Sequence, residues 1–582
     1  MARPAGCTTA GDVPVGYNDA STSVLELDDA LRDLRAHSGD WARLPLARRI
    51  ELTERLTLDF GAVAQRWVEA GIRHKHIDPE SPAASEEWIA GPYFILRNLR
   101  LLRRSLRELQ SHGSPRIPGP IRIRRDGQVA AQVFPLDRFD RIFYGGVTAE
   151  VWMQAGVRAE ELAATQATAY RAASPAGKVA LVLGAGNVSS IGPMDALYKL
   201  LVENQVVLYK LHPVNTYLAA LLQEGFRALI EPGFLRVVEG GSEEGAYLCQ
   251  HPEVDEIHIT GSDQTVEAIV FGPGAEGAQR KAERRPRLTK RITSELGNVS
   301  PVLVVPGRWS GADLDYQAVN LVSMLANNAG FNCNAARVII QHRGWPQRGA
   351  LLTRIRRLLA KLPPRRAYYP GARDRHRRFV STHPQAERFG VEEAEKLPWT
   401  LIPGLEPDDH QGICYSIEAF CSVFCETLIA APSVSEYIDR AVEFANQRLW
   451  GTLNATLLVH PESLRDPEVA AALERAIAEL RYGTVSVNHW AAVGFGLAVL
   501  PWGAFPGHDI YDIQSGVGVV HNTLMFSRPQ KSVVRAPFRV RPTPVWFVSH
   551  RRAGALAKRL VAFEAAPSPW KAAGIVCSAL RG

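Results

Sequence analysis

Between Lys178 and Thr260 short apolar runs alternate with amphipathic segments, and this alternation limits the possible folds more than any other feature of the chain. The runs are Lys178–Leu183, Gln205–Lys210, Leu235–Glu239 and Glu256–Thr260, with helices expected near Met194–Glu203 and Thr216–Ala228. Runs this short and this apolar read as strands buried on both faces. Strands separated by helical crossovers lie parallel, with right-handed connections. A second α/β pattern starts at Pro301-Val-Leu-Val-Val305 and continues to about Val487, with strands expected at Val338–Gln341, Ser422–Ile429 and Thr456–His460. A chain of 582 residues has room for two to four domains or subdomains around such sheets.

The flanking segments read differently. Residues 1–23 are small, polar and Gly/Pro-containing, and are expected to form a loose arm. From Leu25 to Leu109 the pattern is helical, with Leu52, Leu56, Phe60, Val63 and Trp67 on one stripe. Residues 121–133 hold two alternating runs joined by Asp126-Gly127, a strong hairpin signal. Residues 138–157 carry no readable period. A helix is expected from Ala159 to about Ala173, a surface insertion at Gly272–Arg287, and in the tail 539–582 a short amphipathic helix at Ala555–Phe563.

Composition narrows the setting. No apolar run reaches the length of a membrane span, and the first residues lack a charged segment followed by an apolar one, so neither a membrane anchor nor a secretory leader is expected and the cytoplasm is the default. Seven cysteines, an odd number, do not make a disulfide framework, and no ligand spacing calls for a metal. The net charge is +7, with basic runs at Arg97–Arg107, Arg280–Arg291 and Arg373–Arg378. Acidic residues lie nearby and no aromatic stacking pattern accompanies the runs. They therefore read as solvated surface, and no nucleic-acid partner is expected.

Chemistry concentrates in Ser294–Arg337. Glu295 sits in Glu295-Leu296-Gly297, and Cys333 lies between Asn332 and Asn334 after Gly330. A thiol is a good nucleophile once ionised, and a neighbouring carboxylate can serve it as general base. Upstream, Gly184-Ala185-Gly186-Asn187 follows a strand and precedes a helix, as a dinucleotide fingerprint does. Its third glycine is replaced by Ser189, however, and the next strand closes on Lys210 where an acid would hold a ribose. Asn187 offers an amide donor and Lys210 a cation; each taken alone reads equally as structure or surface.

Taken in order along the chain, the motifs resemble those of the NAD(P)-dependent aldehyde dehydrogenase superfamily. Trp41–Arg49 looks like the family's first-helix entry. Asn187 stands where the family has the asparagine of its Pro-Trp-Asn motif, and Lys210 where it has the lysine closing the next strand. Further family blocks are matched by Pro232–Gly241, His251–Asp255 and Ile259-Thr260-Gly261-Ser262. Glu295-Leu-Gly matches the Glu-Leu-Gly-Gly motif, Gly330–Cys333 the cysteine motif, and Glu418-Ala-Phe420 resembles Glu-Ile-Phe-Gly-Pro. Ala445-Asn446, Trp450-Gly451, Gly483–Asn488 and Pro501–Gly503 complete the series.

The resemblance implies an aldehyde substrate and NAD or NADP as cofactor. Cys333 would form a thiohemiacetal, and Asn187 with the Cys333 backbone N–H would hold the oxyanion. Hydride loss to the nicotinamide would leave a thioester, which water activated by Glu295 would hydrolyse. Glu418 would bind the nicotinamide ribose with Phe420 packing nearby, while Lys210, Gly261 and Ser262 would hold the adenosine ribose and pyrophosphate. The sequence departs from the family around Asn187, at Phe331 and at Cys421-Ser422. After Lys210 it runs Leu211-His212-Pro213, with no carboxylate to oppose a 2′-phosphate and with His212 placed to help one.

The implied fold is α/β, with a Rossmann-type nucleotide-binding domain, an α/β catalytic domain and a small β oligomerisation element. The nucleotide-binding domain would take 1–118, 137–294 and a return segment 495–521; the catalytic domain would take 295–494. The hairpin 119–136 and a strand in 522–538 would form the oligomerisation sheet of a homodimer or homotetramer, with 539–582 as an extension. Two rivals differ in function: a coenzyme-A-acylating dehydrogenase or acyl-CoA reductase, against which the retained Glu295 argues, and a scaffold protein that has lost catalysis.

Overall fold

The structure is a computed structural model that describes residues 21–409 and 412–582; most of the expected N-terminal arm lies outside them. Its first sheet has six strands in the spatial order Gly516–Val517, Arg291–Leu296, Glu256–Gly261, Val179–Leu183, Val206–Lys210 and Leu235–Val238. All are parallel except the first, which pairs antiparallel with Arg291–Leu296. The strand Val179–Leu183 is central because its residues are apolar on both faces and none of its first four is exposed. From it the chain winds outward through Val206–Lys210 on one side and later through Glu256–Gly261 on the other. The strand order therefore reverses between Leu183 and Gly261, and a crevice opens beyond those carboxyl ends.

The second sheet has eleven strands. Pro301–Val304, Val338–His342, Val423–Ile429 and Trp399–Leu405 run parallel to one side, and Asn454–Leu458, Thr484–Val487 and Pro529–Arg535 run parallel to the other. Beyond Pro529–Arg535 the strands Thr148–Met153, Val129–Phe134 and Ile121–Ile123 continue the sheet antiparallel. The hairpin and the late strand, expected to form a sheet of their own, are thus continuous with the catalytic strands of the same chain. The link is Thr148–Met153, in the stretch where the sequence showed no period. Its register, Thr148 opposite Arg535 and Trp152 opposite Ala130, is fixed by two partners distant in sequence.

Several local expectations are corrected. The proposed helix Ala159–Ala173 is two short 3-10 turns, Ala159–Thr165 and Thr168–Tyr170. Between them Gln166 is buried with its amide donating to the Leu524 carbonyl at 2.9 Å, and Ala167 turns left-handed to donate its N–H to Met525. Long-range pairing overrides the alanine-rich helical propensity. The segment 272–287 is a helical surface element, Gly274–Ala282, whose end returns through Arg287 N–H to the Val270 carbonyl. The tail forms two helices, Ala553–Ala565 and Pro569–Ala579.

The basic run Arg97–Arg107 is not simply solvated surface. Arg97 is 1% exposed and bridges Asp140 and Glu564, each at 3.1 Å, and Arg100 also holds Glu564. These pairs bind the C-terminal helix onto the N-terminal helices. The long helix Leu46–His74 buries the expected stripe of Leu52, Leu56, Phe60, Val63 and Trp67 in the same core.

Candidate active site

The site lies where the carboxyl edge of the first sheet meets the loop that precedes Val338–His342 in the second. Glu295 is the penultimate residue of the strand Arg291–Leu296, paired across to Thr260 and Gly516, so it belongs to the first sheet and not to the catalytic domain expected to begin there. Its carboxylate is buried, with Oε1 accepting the Trp502 indole N–H at 3.2 Å. Burial, with the nearby Asp195 charge, pushes the Glu295 carboxyl up to about 8. The Cys333 thiol lies beside this carboxyl, near enough for each to shift the other. The thiol is itself held well above its ordinary value by burial and by Glu295 and Glu418. Both groups thus sit above their ordinary values, and the thiol proton can pass only to an ionised Glu295.

Cys333 is placed by an unusual backbone. Asn328, Ala329 and Gly330 are three successive left-handed residues (φ 51°, 56° and 83°) at the end of the helix Gly311–Ala326. A side chain at Gly330 would press on the Cys421 carbonyl. Asn328 holds the strained turn with most of its polar atoms. Its amide donates to the carbonyl of Asn187 at 2.9 Å and to Asn332 Oδ1 at 3.1 Å. Its Oδ1 accepts from Tyr368 at 2.9 Å and from Lys75 at 3.2 Å, and its N–H reaches Glu86 at 2.9 Å. Arg337, also buried, donates to the carbonyls of Gly330 and Cys421 at 2.6 and 2.7 Å. The left-handed turn persists because its surroundings over-determine it.

Asn187 is buried beside this loop. Its Nδ2 donates to the Phe331 carbonyl at 2.8 Å, which leaves the second amide hydrogen of that nitrogen for another acceptor. The glycines before it serve packing: side chains at Gly184 and Gly186 would collide with Tyr209 and His212. This accounts for a glycine cluster that lacks the third fingerprint position.

The cofactor-side residues separate into two groups. Glu418 sits close to Cys333 and Glu295, held up at about 8 by burial and, among charges, by Glu295, against the pull of Arg337. Its Oε1 is a buried acceptor without a hydrogen-bond partner among the described residues, and any side chain at Gly297 would collide with its carboxylate. Phe420, left-handed at φ 42°, stacks into a cluster with Phe331 and Tyr369, and Arg375 fixes the loop by donating to the carbonyls of Ala419 and Phe420.

Across the crevice Lys210 ends its strand with Nζ on the carbonyls of Leu211 and Gly240, and burial lowers it to about 8. Gly261 ends the strand across the switch point. Ser262 caps the helix Asp263–Phe271 by accepting from Thr265 N–H at 3.2 Å. His212, expected to help a phosphate, is held neutral here. Burial, with Lys210 nearby, drops it to about 4, its Nδ1 accepts from Val214 N–H, and its ring lies against Tyr369.

Asp195, Asn328, Arg337, Tyr368 and Arg375 were given no role by the sequence; Trp502 lay inside the Pro501–Gly503 motif without a role, and Asn328 was one of four asparagines within eight residues around Cys333.

Comparison with known proteins agrees with this geometry. Residues 147–364 match the profile of the aldehyde dehydrogenase family. A stretch of 145 residues is 32% identical to 4-trimethylaminobutyraldehyde dehydrogenase B of Danio rerio, covering 24% of this chain and 24% of that protein. The match thus spans about a quarter of that curated relative. Among solved structures, an NAD-dependent aldehyde dehydrogenase from Sinorhizobium meliloti superposes with a TM-score of 0.58 at 18% identity, over 90% of this chain and 89% of that one. An NADP-dependent glyceraldehyde-3-phosphate dehydrogenase from Bacillus halodurans, complexed with NADP, gives 0.57 at 18% identity over 88% and 92%. At these identities the structures attest the fold alone. Residues 147–364 are thus similar to the aldehyde dehydrogenase family, and the chain shares the fold of these solved structures.

Proposed function

We propose that this chain oxidises an aldehyde to a carboxylic acid with a nicotinamide nucleotide, and that the neighbouring Cys333 and Glu295, beside Glu418, are the centre of that reaction. The juxtaposition of thiol and carboxyl is the observation that carries the reading, since it gives the thiol proton a neighbouring base. In the first half-reaction Cys333 passes its proton to Glu295 and bonds to the aldehyde carbon. The free amide hydrogen of Asn187 and the Cys333 N–H are the donors for the oxygen that becomes negative, each worth about 3 kcal/mol when well aimed. The nicotinamide ring, when bound, accepts the hydride that leaves the same carbon. The second half-reaction uses Glu295 again: once it has released the Cys333 proton to solvent, its carboxylate takes a proton from water as that water attacks the Cys333 thioester, the C–S bond breaks, and the Cys333 thiolate leaving the acid recovers a proton from Glu295.

The residues fit such a cofactor. A ribose hydroxyl would satisfy Glu418 Oε1, and the face of Phe420 offers a wall for the ring. Lys210, Gly261 and Ser262 line the crevice at the strand switch point, where nucleotides bind in folds of this kind. No acidic residue directly follows Lys210, and His212 is neutral, so both NAD and NADP remain admissible. The test is spectrophotometric: purified protein with a panel of aldehydes and either nucleotide should produce the reduced cofactor and the acid without coenzyme A. A strict requirement for coenzyme A would replace hydrolysis with acyl transfer; no reduced cofactor from any aldehyde would refute the reading.

A further inference from the structure

A second cluster of thiols lies apart from Cys333, and the proposed reaction does not use it. Cys414 sits on the one-turn helix Ile413–Ser416, and Cys425 on the strand Val423–Ile429. The Cys414 Sγ is 3.5 Å from His383 Nε2, and His383 Nδ1 is anchored to the Phe379 carbonyl at 2.8 Å. This anchoring fixes the imidazole so that its Nε2 faces the thiol. Cys414 and Cys425 are buried in the same cluster, near enough for each thiol to shift the other.

We infer that Cys414 and Cys425 form a peroxide-reactive dithiol, in which His383 holds Cys414 as the attacking thiolate and Cys425 resolves the product to a disulfide. The arrangement is asymmetric in the way this chemistry needs. The contacts from Cys425 and His383 lower the Cys414 thiol to about 7 against the opposing effect of burial. Burial and the neighbouring Cys414 hold Cys425 well above its ordinary value, so it stays protonated. Cys414 is buried and follows the half-buried Gly412 and Ile413 in the chain.

The reaction balances without further components. The Cys414 thiolate attacks one oxygen of a hydroperoxide; the S–O bond forms, the O–O bond breaks, and the departing alkoxide or hydroxide takes a proton from the His383 imidazolium. Cys425 then bonds to the sulfenic sulfur, the S–O bond breaks, and the hydroxide released leaves as water with the Cys425 proton. Two electrons pass from the sulfur pair to the peroxide. The bridge would close residues 414–425 into a ring that contains Glu418 and Phe420. It would also anchor that ring to a strand whose Cys425 N–H donates to the Arg337 carbonyl at 2.8 Å. If the proposed oxidation holds, peroxide would therefore act on the cofactor side of the site without touching the nucleophile.

Thiol mapping tests this independently of any dehydrogenase activity. The full chain carrying Cys333→Ser is treated with one equivalent of hydrogen peroxide, alkylated and analysed by peptide mass, with untreated and dithiothreitol-reversed controls. The expected result is a single cross-linked pair of peptides bearing Cys414 and Cys425, regenerated by reductant. In Cys425→Ser a sulfenic acid on Cys414 should be trapped by dimedone. His383→Gln should slow the oxidation ~10-fold at neutral pH by returning Cys414 to an ordinary thiol. Free Cys414 and Cys425 after exposure that oxidises the exposed Cys577, or a lasting sulfenic acid on Cys414 with Cys425 present, would overturn the inference.

Discussion

The Glu295 carboxyl and the Cys333 thiol lie side by side, the carboxyl buried and the cysteine half-buried, and each shifts the other. Neither can be assigned a titration alone, because removing a proton from one changes the cost of removing it from the other; the pair titrates with apparent values of its own. Since Glu295 is raised to about 8 and must be ionised to accept a proton, turnover should climb as pH passes through about 8. Asp195 is the leading charge that raises it after burial. Asp195→Asn should therefore move the rising limb of kcat toward acid, whereas an unmoved profile would show that burial alone sets it.

Glu295→Gln separates the two half-reactions. Gln keeps an acceptor for the Trp502 indole but cannot activate water, so rapid mixing should retain a burst of reduced cofactor while steady turnover falls by about 10² or more. The same variant has a stability signature. The folded carboxyl is raised above its unfolded value of 4.5, so the wild type loses stability as pH rises from that value to about 8. The loss is about 1.4 kcal/mol per pH unit at most. The variant's advantage in denaturant midpoint should open over that interval and level off above it.

Gly297→Ala is a probe of Glu418 alone. The new methyl group would occupy the position of the Glu418 carboxylate, which must swing away. If Glu418 receives the nicotinamide ribose, KM for the nucleotide should rise about tenfold or more, with the Cys333 thiol still alkylated by iodoacetamide at an undiminished rate. Parallel loss of both would point to a collapsed loop.

Asn328→Ala removes the amide that ties the nucleophile turn to Asn187. It takes one hydrogen bond each from the Asn187 carbonyl, Lys75 and Tyr368, although Tyr368 still reaches that carbonyl and Lys75 keeps Glu87, and it places alanine at a left-handed φ of 51°. Unfolding should become easier by about 2 kcal/mol, from the lost buried hydrogen bonds and the strained φ. Alkylation of Cys333 should at the same time lose its dependence on Glu295, because the thiol is no longer aimed at it.

What the sequence made legible, and what it did not, follows from how far the deciding contacts reach. The parallel strands, the long helix with its Leu52–Trp67 stripe and the hairpin at Asp126-Gly127 are written in spacings of two to four residues. Glu295 and Cys333 were visible because each lies in a short polar motif between apolar strands. Thr148–Met153 was not visible, since its partners are Val129–Phe134 on one side and Pro529–Arg535 on the other, and only the second sheet as a whole defines its pattern. The neutrality of His212 was hidden for a related reason: it follows from burial against Tyr369 and Gly186, which local sequence does not report. Arg97 and Arg100 looked like surface because the acid that buries them, Glu564, stands more than four hundred residues away.

That last contact predicts what the C-terminal extension contributes. Burial by itself would raise Glu564, but Arg100 and Arg97 reverse it and hold the carboxyl below its ordinary value. The stability this supplies is present above the unfolded value of 4.5 and is lost as pH falls through the lowered folded value. Glu564→Ala leaves two buried guanidiniums to share Asp140 and neighbouring carbonyls, and should cost about 3–5 kcal/mol. Glu564→Gln keeps the shape but not the charge and should cost less. Both should flatten the acid limb of a Tm-against-pH curve. Removing residues from 539 onward should destabilise the chain at least as much as Glu564→Ala, because it also exposes the face of the N-terminal helices on which Ala553–Ala565 lies. A truncated chain with unchanged Tm would show that Arg97 finds solvent or another acid without its C-terminal partner.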